Sequence, residues 1–295
     1  MDKAQRIAIV SMVVSGLLAL MKISAGFLGR SNSVMADGFE SAADVFASGL
    51  VYVALLVAAR PPDGNHPYGH GRAETLAGFV IGFFLLDAGL LIAWHGFFGA
   101  GDVVEPPRVW AIWPLAVSIA AKAGLVAVKM RQAKRIGSEA LKADAANDAI
   151  DMISGFTALA ALSLTLWQPQ QFLRADHYGG FLVGLIVIVT SVRVMRDASL
   201  SLMDTMPETA AMQTIRCVAL EVPNVRGVEK CFARKTGLRY HVDLHLEVDP
   251  DISVRDSHAI AERVRNHICG KINWVQDVLV HVEPFPGAPS PAHRT

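Results

Sequence analysis

Two stretches of the chain repeat one arrangement of polar residues among apolar ones: Ala36-Asp37-x-x-Glu40-x-x-x-Asp44 and Ala143-Asp144-x-x-Asn147-x-x-x-Asp151. A helix turns through about 100° per residue. Glu40 and Asp44 therefore share a face one turn apart, Asn147 and Asp151 do the same, and Asp37 and Asp144 begin each stripe. Two such pairs facing each other offer four oxygen donors, enough for a tetrahedral site or an octahedron completed by water. An acid at the centre of a membrane helix costs roughly 3 kcal/mol, so a group of acids persists there only where it shares a cation or protons. The repeat reads as an ion site. A plainer reading makes these residues helix-packing groups satisfied by Ser41, Ser48 or Ser154, and it accounts less well for so much charge recurring in one pattern.

The elements that must carry these residues are membrane spans. Of 295 residues, 52% are hydrophobic and 18% charged, with no net formal charge, so a polytopic membrane protein is expected and a nucleic-acid partner is not. Six windows reach the roughly 20 apolar residues that cross a bilayer: 7–29, 34–58, 74–98, 110–131, 140–167 and 177–201. The first is as long as the others and reads as a span, not a cleaved signal peptide. Lys3, Arg6, Arg60, Arg72, Lys129, Arg131, Lys134, Arg135, Lys142, Arg193 and Arg196 fall on one side, against Arg30, Arg108 and Arg174 on the other. The positive-inside rule then predicts both termini in the cytoplasm of a multi-pass protein, with a bacterial inner membrane as the expected host. The second and fifth spans run in opposite directions, as in transporters built from two inverted three-helix halves.

The predicted domains are a transport domain over 1–206, a cytoplasmic metal-binding domain over 207–284, and a disordered tail over 285–295. In the second, Glu208 to Glu221 has a helical pattern, Val225 to Arg234 a strand ending at the turn Lys235-Thr236-Gly237, and Leu238 to Val248 a strict alternation. Val242, Leu244, Leu246 and Val248 point one way; His241, Asp243, His245 and Glu247 point the other. Ser253 with Asp256 opens a helix to about His267, and Val275 to Val282 is a last strand, an α-β-β-α-β order. His245, His258, His281 and Glu283 are groups that bind first-row metals. Cys217, Cys231 and Cys269 form no Cys-x-x-Cys pair and read as ordinary thiols of a reducing compartment. Between the second and third spans, Asp63, His66 and His70 stand in a Gly- and Pro-rich loop able to hold a cation.

The Glu40/Asp44 and Asn147/Asp151 pairs, the Asp63-x-x-His66-Pro-Tyr-Gly-His70-Gly-Arg72 loop and the His245, His258, His281 pattern together resemble the cation diffusion facilitators, over essentially the whole chain up to Glu283. The resemblance implies a homodimer with six transmembrane helices and a small cytoplasmic α+β domain, ferredoxin-like or metallochaperone-like. It also implies export of divalent transition-metal ions in exchange for protons. It further implies a transport site at Glu40, Asp44, Asn147 and Asp151, a loop site at Asp63, His66 and His70, and a cytoplasmic site at His245, His258, His281 and Glu283 near the dimer contact. Arg72 and Asp204 would form a salt bridge between protomers.

Two departures bear on the metal. Zinc exporters of the family present Asp or His in the second span and His in the fifth, where this chain has Glu40 and Asn147. An all-oxygen site suits harder ions, so Mn²⁺ or Fe²⁺ is expected over Zn²⁺. Glu229 stands where some members place a further histidine in the cytoplasmic site. The rival reading is an intramembrane metal-dependent enzyme such as a lipid phosphotransferase, but such enzymes gather their acids in one motif near the interface. No His-Glu-x-x-His helix or Gly-rich phosphate loop is present either. Asp87 and Lys122 are expected to pair or to line a proton path, Lys22 to snorkel to an interface, and Trp94, Trp110, Trp113 and Trp167 to sit in aromatic belts.

Overall fold

The computed structural model describes residues 3–99, 105–136, 139–237 and 239–286, with backbone alone for 3–9, 133, 135–136 and 139–144. Among the described residues, seven α-helices make up the apolar part: α1 (Lys3–Gly29), α2 (Asn32–Ala58), α3 (Arg72–Phe98), α4 (Ile112–Ile136), α5 (Glu139–Trp167), the single turn α6 (Pro169–Phe172) and α7 (Ala175–Leu202). Six stretches within them are long and apolar enough to span a membrane, from Val10–Gly29 through Ala175–Leu202. The chain is a multi-pass membrane protein. Apolar side chains remain largely exposed along these helices, Phe27, Phe46, Phe83 and Trp113 among them, as the surrounding hydrocarbon requires. Trp94, Trp110, Trp113 and Trp167 are all exposed near span ends.

With no hydrophobic drive between helices in lipid, close backbone approach supplies the packing. Gly82, Gly89 and Gly96 recur every seventh residue of α3. A Cβ at each would lie 2.5 Å from Met195, 3.0 Å from Ile188 or 2.4 Å from the Phe181 amide of α7. Gly26 and Gly38 do the same between α1 and α2, against Met35 and Ile23. Small buried residues continue this arrangement, with Ala25, Ala36, Ala111 and Ala158 around Val34, Leu115, Leu162 and Val183.

The chain divides into two compact units, one comprising Met1–Val53 and Gly78–Arg196, the other Ala54–Ala77 and Asp197–Thr295. The second contains the C-terminal domain: α8 (Thr209–Leu220), β1 (Gly227–Thr236), β2 (Arg239–Val248), α9 (Val254–Lys271) and β3 (Val275–Pro284). The sheet order is β1-β2-β3, with β1 antiparallel and β3 parallel to β2. Leu238, the expected first residue of β2, lies outside the described residues. The inward set Val242, Leu244, Leu246 and Val248 packs under Ile215 and Val218 of α8 and Ile260, Val264 and Ile268 of α9. Ser253 accepts the Asp256 amide and starts α9 where its motif predicts. Phe285, the first residue of the expected tail, is tied to the sheet, its amide bonding the Val248 carbonyl at 2.8 Å; residues 287–295 lie outside the described residues.

In the same unit, the loop after α2 packs on the β1–β2 turn. A Cβ on Gly71 would meet the Thr236 carbonyl at 2.8 Å, and Gly237 adopts φ +66°, a conformation glycine takes without strain. Tyr68 lies 5.2 Å under the Arg234 guanidinium and edge-on to His241. Leu244, fully buried, is the centre of the C-terminal core. Leu244→Ala is expected to destabilise this domain by about 2–5 kcal/mol, read as an earlier urea transition in the fluorescence of Trp274, which meets Tyr240 edge to face at 5.3 Å.

Candidate metal centres

Glu40 and Asp44 lie on α2, and Asp151 on α5. Glu40 is 7% and Asp151 9% exposed, and the Asp44 and Asp151 carboxyl groups lie within hydrogen-bonding reach of each other. Ser154 donates to Glu40 Oε1 at 2.8 Å. The second oxygens, Glu40 Oε2 and Asp44 Oδ2, are buried with no partner. A buried polar atom left unpaired costs stability, so these two oxygens are where a cation or a proton fits. The three serines divide: Ser154 satisfies half of Glu40, Ser41 is taken by Lys22, and Ser48 bonds its own helix at the Asp44 carbonyl.

Three of the sequence expectations do not match this arrangement. Asn147 is exposed. The buried stripe of α5 runs through Ala145, Asp148, Asp151, Ser154, Ala158 and Leu162, which leaves Asn147 on its edge; the side chain of Asp144 lies outside the described residues. Lys22 does not snorkel: it is 1% exposed, 2.7 Å from the Asp37 carboxylate, and donates to the Ser41 hydroxyl at 2.6 Å and the Asp37 carbonyl at 3.0 Å. Lys122 pairs with Asp151, not with Asp87, which is exposed on α3. Sequence reading also missed Asp148, buried against Lys129 at 2.5 Å, and Asp176, which accepts from Ser31, Ser33 and the Asn32 amide and so anchors the start of α2. Lysines inside apolar windows were the available signal for the first, since a buried ammonium requires an acid.

The loop cluster is compact. His66 Nδ1 stands 3.0 Å and His70 Nε2 3.5 Å from the Asp63 carboxylate, and all three offer ligand atoms within 4.8 Å of one another. The His66 amide bonding Asp63 Oδ1 at 2.7 Å is the chief cause that holds the Asp63 carboxyl below the usual range. His70 Nδ1 is buried and unpartnered. Arg72, which opens α3, meets Asp204 at 2.5 Å within one chain.

On the open face of the C-terminal sheet, His245 and His281 are register partners, and Glu283 bonds His245 Nδ1 at 2.6 Å. His281 Nε2 is 3.6 Å from the same Glu283 oxygen, and these three residues form the second compact ligand group among the described residues. Glu229 lies in the β1 bulge between Val228 and Cys231 and hydrogen-bonds Glu283. His258 does not join them: it is exposed on α9, 3.7 Å from Glu262. No cysteine belongs to either group, and burial pushes the Cys231 thiol up to about 11.

Comparison with known proteins gives two adjoining matches along the chain. The family model for the cation efflux transmembrane domain matches residues 8–203, and that for the cation efflux protein cytoplasmic domain matches 207–285. The chain belongs to the cation diffusion facilitator family. The manganese efflux system protein MneP of Bacillus subtilis is 26% identical, covering 96% of each chain. MneS of the same organism, also named a manganese efflux system protein, is 30% identical, covering 97% of each. The magnetosome protein MamM of Magnetospirillum gryphiswaldense is 28% identical over 93% of this chain and 86% of its own. As a member of the cation diffusion facilitators, the protein is a divalent metal cation efflux transporter and not an enzyme, and its substrates are divalent metal ions. Its six apolar helices followed by an α+β domain have the expected architecture.

In this transporter, Glu283 titrates below the ordinary carboxyl value of 4.5, first through its hydrogen bond with Glu229 and then through that with His245. A depressed folded-state pKa stabilises above the unfolded value and is lost as pH falls through the folded one. Acidification below pH 4.5 is therefore expected to destabilise the C-terminal domain of the wild type more than that of Glu283→Gln, measured as the shift in urea midpoint between pH 6 and pH 3.

Proposed function

We propose that this transporter exports Mn²⁺ or Fe²⁺, in preference to Zn²⁺, from the cytoplasm in exchange for protons, working as a homodimer with both termini cytoplasmic. The observation that carries the reading is the donor set: Glu40, Asp44 and Asp151 converge between α2 and α5, with Glu40 Oε2 and Asp44 Oδ2 buried and unpartnered and no imidazole among the described residues beside them. Carboxylates and amides suit hard divalent ions, whereas imidazole favours zinc. The names of MneP and MneS, manganese efflux system proteins, support the same choice. Asn147, at the edge of the α5 stripe, supplies the fourth oxygen when that face of α5 turns towards α2.

Coupling follows from electrostatics. Carboxylates crowded in a low-dielectric site favour keeping protons, and an arriving dication reverses that preference, so metal entry expels protons and protons returning down their gradient reset the site. Alternating access opens the site inward to load and outward to release. The loop cluster of Asp63, His66 and His70 captures metal on its way in. The cluster of His245, His281, Glu283 and Glu229 senses cytoplasmic metal and draws two protomers together, favouring the state that binds it better; His258 enters as a ligand from the partner's side of that contact.

The test is metal uptake into proteoliposomes with an acidic interior, comparing Mn²⁺, Fe²⁺ under reducing conditions and Zn²⁺. Uptake of Mn²⁺ or Fe²⁺ well above Zn²⁺ is expected, collapsing to the level of empty vesicles in Asp151→Ala and when the pH gradient is dissipated. Dominant Zn²⁺ uptake would overturn the donor argument. Deleting residues 207–295 is expected to raise the metal concentration needed for half-maximal transport without abolishing it; full activity of the deletion at low metal would remove the sensing role.

A further inference from the structure

We infer that the Lys122 ammonium is a tethered counter-cation of the transport site, holding Asp151 while the site is empty and yielding it to the incoming dication. The inference rests on the reading of Glu40, Asp44 and Asp151 as that site. Lys122 lies on α4, 3% exposed, with its ammonium paired to Asp151 Oδ2. Asp151 in turn meets Asp44, and beyond them Glu40 Oε2 and Asp44 Oδ2 are buried without partners. The lysine thus occupies one carboxylate of a set in which the others still have vacant acceptor oxygens.

Charge decides what such a set accepts. With the three carboxylates ionised, Glu40, Asp44, Asp151 and Lys122 together carry two negative charges, which one divalent ion cancels and one monovalent ion does not. An uncancelled charge in a low-dielectric environment is costly, so the lysine tunes the site to a dication. The neighbouring ion pairs do not alter this sum, since Lys22 with Asp37 and Lys129 with Asp148 are each neutral. Lys22 is further fastened by the Asp37 carbonyl and the Ser41 hydroxyl, a closed arrangement that fits a packing role. Lys122 is different because its partner is itself a proposed ligand, and a metal taking an Asp151 oxygen must compete with the ammonium for it. The flexible four-carbon stem lets that ammonium withdraw without a backbone change and return when the metal leaves, so Asp151 is not left as a bare buried charge during the return of the empty carrier.

The experiment measures initial rates of Mn²⁺ uptake against Mn²⁺ concentration for wild type, Lys122→Met and Lys122→Arg. Removing the competing cation from Lys122→Met is expected to lower KM by about tenfold, the size of a like-charge effect in a buried site. Turnover is expected to fall as well, because the returning protons must then displace a more tightly held metal without the ammonium's help. Lys122→Arg restores both towards wild type. A purely structural ion pair would instead lower turnover with KM unchanged or raised, and that result overturns the inference. If Lys122→Met does not fold, labelling of Lys122 in the wild-type protein by a small amine-reactive reagent, read by mass spectrometry, decides: saturating Mn²⁺ is expected to increase it, and unchanged or reduced labelling overturns the inference. Asp151→Ala separates the two readings. If it transports like wild type, the transport-site reading falls; if it is inactive while Lys122→Met keeps a wild-type KM, only the tethered counter-cation falls.

Discussion

A charge inside a membrane domain must be answered by another charge, a dense set of hydrogen bonds or a bound ion, because no water is present to solvate it. The transmembrane unit meets this requirement acid by acid. Asp37 is answered by Lys22, Asp148 by Lys129 and Asp151 by Lys122, while Asp176 is satisfied by two serine hydroxyls and the first amide of α2. Among the described residues, the second oxygens of Glu40 and Asp44, one turn apart on α2, remain buried without a hydrogen-bond partner. The candidate site is thus set off from its surroundings by the neutralisation of Asp37, Asp148 and Asp176.

Holding those groups in register requires helices that approach more closely than ordinary side chains allow. Glycines on α3 against α7, and on α1 against α2, bring backbones to a distance that a methyl group would block. The Asp176 cluster then fastens the start of α2, the helix carrying Glu40 and Asp44, to the start of α7. An anionic side chain accepting the first amide of α2 also suits the positive end of its dipole. The acids therefore stand on a helix whose packing and starting point are both constrained.

The C-terminal domain separates its tasks by the two-residue period of one strand. Odd and even positions of β2 face opposite sides, so Leu244 and Leu246 build the core while His245, between them, reaches the open face beside His281 and Glu283. The bulge in β1 adds Glu229 to that face without disturbing the apolar side. Because β2 also carries His241 against Tyr68, one strand links the loop after α2 with the histidine cluster.

Periodicity and local chemistry are properties of the linear chain, and they are what the sequence alone determined: six spans, the α-β-β-α-β order, the cap at Ser253, the wet and dry faces of β2, and the grouping of Asp63, His66 and His70 within one short loop. Motif spacing also identified the family. Which face of α5 turns inward was not legible, because Asn147 and Asp148 are neighbours about 100° apart and either shares a turn with Asp151. Only packing against α4 buried Asp148 and left Asn147 at the edge. The partners of Lys22 and Lys122 were equally undetermined, since a long side chain in an apolar helix can reach for water or for an acid. The tertiary structure chose the acid in both cases, because residues distant in sequence met within one low-dielectric interior where an unpaired ammonium has no other way to be stabilised.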